Sequence, residues 1–114
     1  MPVLKIQTSQ AVGESTKMAL LAEASRTIVT ELGKPERYVM VIVEQVTAMM
    51  FAGETTPAAY LELKSIGLPA SHTAGLSKAL CHLVTKILGV PGERIYIEFA
   101  DAQGRMWGWN GGTF

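Results

Sequence analysis

One pattern occurs twice in this chain, and it limits the possible folds more than any other feature. GKPERYVMVIVEQ begins at Gly33 and GVPGERIYIEFAD begins at Gly89, an offset of 56 residues. The same offset carries Leu20 to Leu76, Ala24 to Leu80, Ile28 to Val84, Leu32 to Leu88, Pro35 to Pro91, Val41 to Ile97 and Val43 to Phe99. Apolar phase shared over so many positions marks a duplicated structural unit.

Each copy reads the same way. Val3, Lys5 and Gln7 alternate with Leu4, Ile6 and Thr8, as Tyr60, Glu62 and Lys64 alternate with Leu61, Leu63 and Ser65. A period of two predicts a strand in each case. Apolar stripes at helical spacing predict helices over residues 15–32 and 71–88. Gly33 and Gly89 end them, with Pro35 and Pro91 just beyond. Strands at Val39–Val43 and Ile95–Phe99 close the units. Residues 45–57 form the longest connection, and the closing WGWNGGTF reads as a short strand and tail.

The expected architecture is a single α+β domain over residues 1–114, a two-layer α/β arrangement. It has pseudo-repeats at about 2–44 and 58–100 plus a C-terminal strand. Each βαβ crossover is right-handed with parallel outer strands. Two such units predict a four-stranded sheet with both helices on one face. The other face then lacks cover, because strand residues such as Val41 and Val43 cannot all meet helices, and this predicts an oligomer. Composition agrees: 48% of the chain is hydrophobic, a high share for a small interior.

Composition also excludes function classes. Ten basic and ten acidic residues balance, which argues against a nucleic-acid or anionic-membrane partner. No apolar run reaches the length of a membrane span, and no charged segment with an apolar run behind it opens the chain. Cytoplasmic residence is the expectation. A single cysteine, Cys81, excludes an internal disulfide and reads as a packing residue beside the second helix stripe. His72, near the helix start, and His82, off the apolar stripe, are two lone histidines and predict no metal site. Phosphate-loop, dinucleotide and nucleophile-elbow motifs are absent. Gly111 and Gly112 read as tail flexibility rather than a phosphate loop. Trp107 and Trp109 fall on one face of a strand, where they wall a pocket or fill an interface.

Two positions carry chemistry. Lys34 suits a helix C-terminus electrostatically, but its counterpart in the second copy is Val90. The repeat keeps the glycine and proline around the position and not the charge, which points to a role beyond capping. Pro2 precedes the first strand. Removal of Met1 makes it a secondary amine, a base that no internal residue supplies.

Four stretches together, MP before a strand, GKPERYVMVIV, LELKSIGLP and RIYIEFAD followed by GWN and TF, resemble the macrophage migration inhibitory factor family of the tautomerase superfamily. The resemblance runs from Pro2 to Phe114. It implies a homotrimer whose sheets line a central barrel, with active sites shared between subunits and no cofactor or metal. It implies keto–enol tautomerisation of phenylpyruvate-like and dopachrome-like substrates, with Pro2 as general base after loss of Met1. By the same resemblance Lys34 and the backbone at Ser65–Ile66 bind substrate, and Tyr96 reaches the site from a neighbouring subunit. Tyr38, Trp107, Trp109 and Phe114 then form the pocket wall. A small aromatic 2-oxo acid is the implied partner. A second implied reading is a secreted, cytokine-like interaction protein with vestigial activity. Ala58-Ala59-Tyr60-Leu61 stands where several animal members carry Cys-x-x-Cys, so thiol redox activity is not expected. Glu98 stands where better-known members have asparagine beside the pocket, and Trp107 replaces a smaller aliphatic residue.

Overall fold

A computed structural model describes all residues, 1–114. Strand β1 (Val3–Thr8) leads into helix α1 (Glu14–Leu32) and back into β2 (Met40–Gln45). The second unit repeats this with β3 (Ala59–Ile66), α2 (Thr73–Leu88) and β4 (Ile95–Ala102). A hairpin of β5 (Gly108–Trp109) and β6 (Gly112–Thr113) follows. The main sheet runs β2-β1-β3-β4. Each unit's own strands are parallel, Val3 opposite Met40 and Ala59 opposite Ile95. The two units meet through antiparallel β1 and β3, Val3 opposite Lys64.

Both helices end the same way for the same reason. Gly33 and Gly89 adopt φ of 66° and 76°, and their N–H groups donate to Val29 O and Thr85 O. A Cβ in that left-handed region costs roughly 1–2 kcal/mol, so glycine suits both corners. Pro35 and Pro91 then forbid further helix, and a 3₁₀ turn (Glu36–Tyr38, Gly92–Arg94) delivers the chain to the next strand. α2 begins at Thr73, two residues later than expected, because residues Ala70–His72 form their own 3₁₀ turn.

The core lies between the helices and one sheet face. Leu20, Ala24 and Ile28 of α1 and Leu76, Leu80 and Val84 of α2 are fully buried against Leu4, Ile6, Leu61 and Leu63. Val41 and Val43 belong to this side, half-buried against the core, and so do Ile97 and Phe99. The expectation that Val41 and Val43 sit on the uncovered face is therefore corrected: the pleat turns the even-numbered neighbours Met40, Ile42 and Glu44 outward instead. The outer face mixes apolar side chains with ionic and polar pairs. Lys5 Nζ lies 2.7 Å from Glu62, and Gln7 Nε2 donates to Glu44 at 2.6 Å. No helix is long and apolar enough to cross a membrane.

Two connections are more ordered than their composition suggests. In the 46–57 loop, Ala52 and Gly53 take positive φ and Phe51 bridges Glu54. Arg94 clamps this loop: Nε donates to Pro57 O at 3.0 Å, Nη1 to Phe51 O at 3.2 Å, and Nη2 to Glu54 O and Thr56 O at 3.2 and 3.0 Å. At the C-terminus, Asn110 and Gly111 take φ of 51° and 80°. That pair makes the tight turn of the β5–β6 hairpin, so Gly111 shapes a turn and is not merely tail flexibility.

Candidate active site

The N-terminus, the corner after α1 and the C-terminal hairpin converge. Pro2 is fully buried, and its carbonyl accepts the Met40 N–H at 3.0 Å. That bond fixes the first residues of β1 against the start of β2. In this chain the Pro2 nitrogen carries Met1 and is an amide without basicity. The free amine is that of Met1. Burial, and then the neighbouring Lys34 charge, hold it below its ordinary value of 8.0. The surroundings of the terminus thus already favour a neutral amine.

Lys34 leaves the helix corner toward the end of β3. Its Nζ donates to Ile66 O at 3.3 Å and has no carboxylate partner. Buried Ser65 sends its Oγ to the same carbonyl at 3.4 Å. Lys34, Ser65 and Ile66 are therefore brought together. The contact seen uses the Ile66 carbonyl, whereas the resemblance implied an Ile66 backbone group facing substrate. A cation without an acid, held beside an amine, is equipped to receive an anionic ligand.

A cavity of about 210 Å³ opens next to the terminus, lined by Met1, Val3, Arg37, Tyr38, Val39, Met40, Trp107, Gly108, Trp109 and Phe114. Tyr38, Trp107, Trp109 and Phe114 thus share one wall. Tyr38 meets Trp109 edge-on at 5.7 Å and Phe114 at 5.9 Å, while Trp109 and Phe114 stack at 5.4 Å. These separations suit aromatic pairs. Phe114 N–H donates to Trp107 O at 3.2 Å and ties the tail across the hairpin. Arg37, Val39 and Met40 were not singled out from the sequence. Their signal was position: they surround Tyr38 between the Lys34 corner and β2.

Tyr96 is not part of this assembly. It pairs with Tyr60 at the far end of β3, whereas Ile66 pairs with Ala102. Six residues at about 3.3 Å each put Tyr96 about 20 Å from the Ile66 end. It is 65% exposed, its ring 4.6 Å from Phe51, on a separate apolar cavity of about 450 Å³ with Met49, Met50 and Ala52. Glu98 likewise lies on the outer sheet face, away from Pro2 within the chain. It accepts a hydrogen bond from the Tyr60 hydroxyl at 2.8 Å. That bond, with burial and the Glu62 charge, pushes the Tyr60 phenol up to about 12. A larger groove of about 460 Å³ runs between the helices, but it is lined mainly by charged and polar side chains and lies far from the terminus.

Comparisons with known proteins agree with this geometry. A sequence model of the macrophage migration inhibitory factor family matches residues 1–114. A Trichuris trichiura macrophage migration inhibitory factor homolog is 37% identical over 119 residues, covering 100% of both chains. The Xenopus laevis macrophage migration inhibitory factor is 33% identical over 115 residues, 100% of this chain and 99% of that one. Among solved structures, the homologue from Prochlorococcus marinus superposes with a TM-score of 0.93 at 42% identity, covering 98% of each chain. The Toxoplasma gondii protein superposes with a TM-score of 0.94 at 33% identity, over 98% of this chain and 99% of that one.

Proposed function

The chain belongs to the macrophage migration inhibitory factor family, within the tautomerase superfamily, and we propose that it is a keto–enol tautomerase of phenylpyruvate-like 2-oxo acids whose general base is Pro2 after loss of Met1. The observation that carries this reading is electrostatic. The chain terminus lies where burial and Lys34 depress an amine's basicity, at the edge of a cavity walled by aromatic rings. A secondary amine placed there is neutral over a wider pH range than an exposed terminus, and a neutral amine can take a proton.

The parts divide as follows. The aryl group lies against Tyr38, Trp109 and Phe114. The carboxylate pairs with Lys34, whose only partner within the chain is a backbone carbonyl. The Pro2 nitrogen removes one proton from the carbon next to the carbonyl. The electrons of that C–H bond form the C=C bond, the carbonyl π pair moves onto oxygen, and the oxygen takes a proton from the prolinium, directly or through water, which gives the enol and restores the neutral amine. In the reverse direction the amine takes the enol hydroxyl proton, the C=O bond re-forms, and the prolinium delivers a proton to carbon. Lys34 helps twice, by holding the anion and by disfavouring the ammonium form.

Assembly follows from the same reading. A homotrimer would bring Tyr96 and Glu98 of one copy to the pocket of the next and cover the outer sheet face. Tyr96 is exposed and remote from Pro2 within one chain, which supports a site completed by a neighbour.

The test uses protein whose loss of Met1 is verified by mass spectrometry. Phenylpyruvate enol–keto conversion is then measured for this protein and for its Pro2→Gly variant. The expected result is a loss of about 100-fold or more, the usual scale of general-base catalysis. Equal rates would remove Pro2 from the mechanism.

A further inference from the structure

Arg37 is the one cationic side chain on the wall of the aromatic cavity. Its guanidinium sits 4.7 Å from the centroid of the Tyr38 ring. A cation over a ring face is attracted by the ring's quadrupole, and the planar fork still presents its N–H edges outward. Arg37 makes no ion pair with any acid of the chain. Its sequence neighbour Glu36 is the obvious candidate, but that carboxylate accepts a hydrogen bond from Ser25 Oγ on α1 at 2.8 Å and is held on the helix side. Within one chain, none of the side chains lining the cavity is acidic. The wall that receives an aryl group therefore carries a guanidinium, held on Tyr38, that no acidic side chain of its own chain pairs with, separate from the Lys34 ammonium at Ile66.

We infer that Arg37 is a specificity-determining residue that selects dianionic substrates: aryl 2-oxo acids bearing a second carboxylate or similar oxyanion on the ring. This rests on the tautomerase reading for the reaction, but not for the binding preference. The first carboxylate goes to Lys34. The aryl ring lies among Tyr38, Trp109 and Phe114. The second anion meets the Arg37 fork, whose two parallel N–H groups match a carboxylate. A monoanionic aryl acid leaves the Arg37 N–H edge to solvent.

Calorimetric binding of two inert probes, 3-phenylpropanoate and 3-(4-carboxyphenyl)propanoate, tests this on protein lacking Met1. The quantity read is the ratio of the two dissociation constants in the parent protein, Arg37→Gln and Arg37→Lys. Arg37 is exposed, so the pair is screened and the expected gain for the dianion is modest, about fivefold. Arg37→Gln should abolish that preference, and Arg37→Lys should keep part of it. The preference should also shrink between low and 0.5 M salt. A ratio unchanged by Arg37→Gln overturns the inference. Turnover of phenylpyruvate and 4-carboxyphenylpyruvate is measured in parallel. Binding preference without turnover of either acid defeats the tautomerase reading and leaves the Arg37 assignment standing. Turnover of both with no Arg37-dependent preference does the reverse.

Discussion

Gly104, which backs the wall residue Phe114, is the most informative single position for the pocket. A Cβ built there would stand 2.8 Å from the Phe114 carbonyl oxygen and 3.1 Å from its carbonyl carbon. The obstacle is backbone, so Gly104→Ala must displace Phe114. That residue is held by the Trp107 carbonyl at 3.2 Å and by ring contacts with Tyr38 and Trp109 at 5.9 and 5.4 Å. Each aromatic pair contributes roughly 0.5–1.5 kcal/mol, so losing both weakens docking of the tail by about 1–3 kcal/mol. Residues 103–114 take no part in the main core. Global melting should therefore move by only about 2 °C or less, while the near-ultraviolet circular dichroism of the tryptophans changes clearly. Aryl-acid affinity should fall up to about tenfold, since about 1.4 kcal/mol corresponds to a factor of ten. A Gly104→Ala protein with the parent's near-ultraviolet spectrum and the parent's affinity would refute the claim that Phe114 is fixed by this backbone contact.

Other perturbations probe the remaining supports. In Lys34→Met the cation that disfavours protonation is gone, so the amine's pKa rises: in the chain bearing Met1 its titration, followed by NMR, should move up toward 8.0. In protein lacking Met1, the pH at which kcat/KM rises should shift upward in the same variant, because the base must be neutral to act. Thr8→Val keeps the shape of a fully buried side chain but strands the Gln10 N–H, now paired with its hydroxyl at 3.0 Å, and leaves the Ala58 carbonyl, which accepts that hydroxyl at 2.9 Å, with the Ser9 N–H alone. The expected cost is about 1–3 kcal/mol by chemical denaturation, largely recovered in Thr8→Ser. Arg94→Ala removes four hydrogen bonds to the 51–57 loop and should cost about 2 kcal/mol, with faster amide exchange confined to that loop and the Phe51–Tyr96 contact.

The repeat made most of the fold legible before any coordinates. Periodicity located every main strand and both helices because each element buries one regular face, and the paired glycine and proline corners signalled both helix ends. What periodicity does not encode is which outer residues of an edge strand turn inward. Val41 and Val43 were for that reason assigned to the open face although they close the core. The hairpin at Asn110-Gly111 escaped for another reason: its strands are two residues each, too short to show alternation. At the site, Pro2, Lys34 and the aromatic wall were legible as chemical types, but their convergence depends on pairings between residues far apart in the chain. Arg37 was invisible because an exposed arginine in a turn is ordinary until its neighbour's carboxylate is seen to be engaged elsewhere.

The antiparallel seam between β1 and β3 turns the second βαβ unit end for end. The corner with Lys34 and the edge with Tyr96 consequently point away from each other. In the trimer proposed above, one copy is therefore like a link with a hook at one end and an eye at the other, fastened to another of its kind. A closed ring of such links loses every junction when all hooks or all eyes are damaged. A ring mixed from hook-damaged and eye-damaged copies keeps a junction wherever a sound hook happens to meet a sound eye.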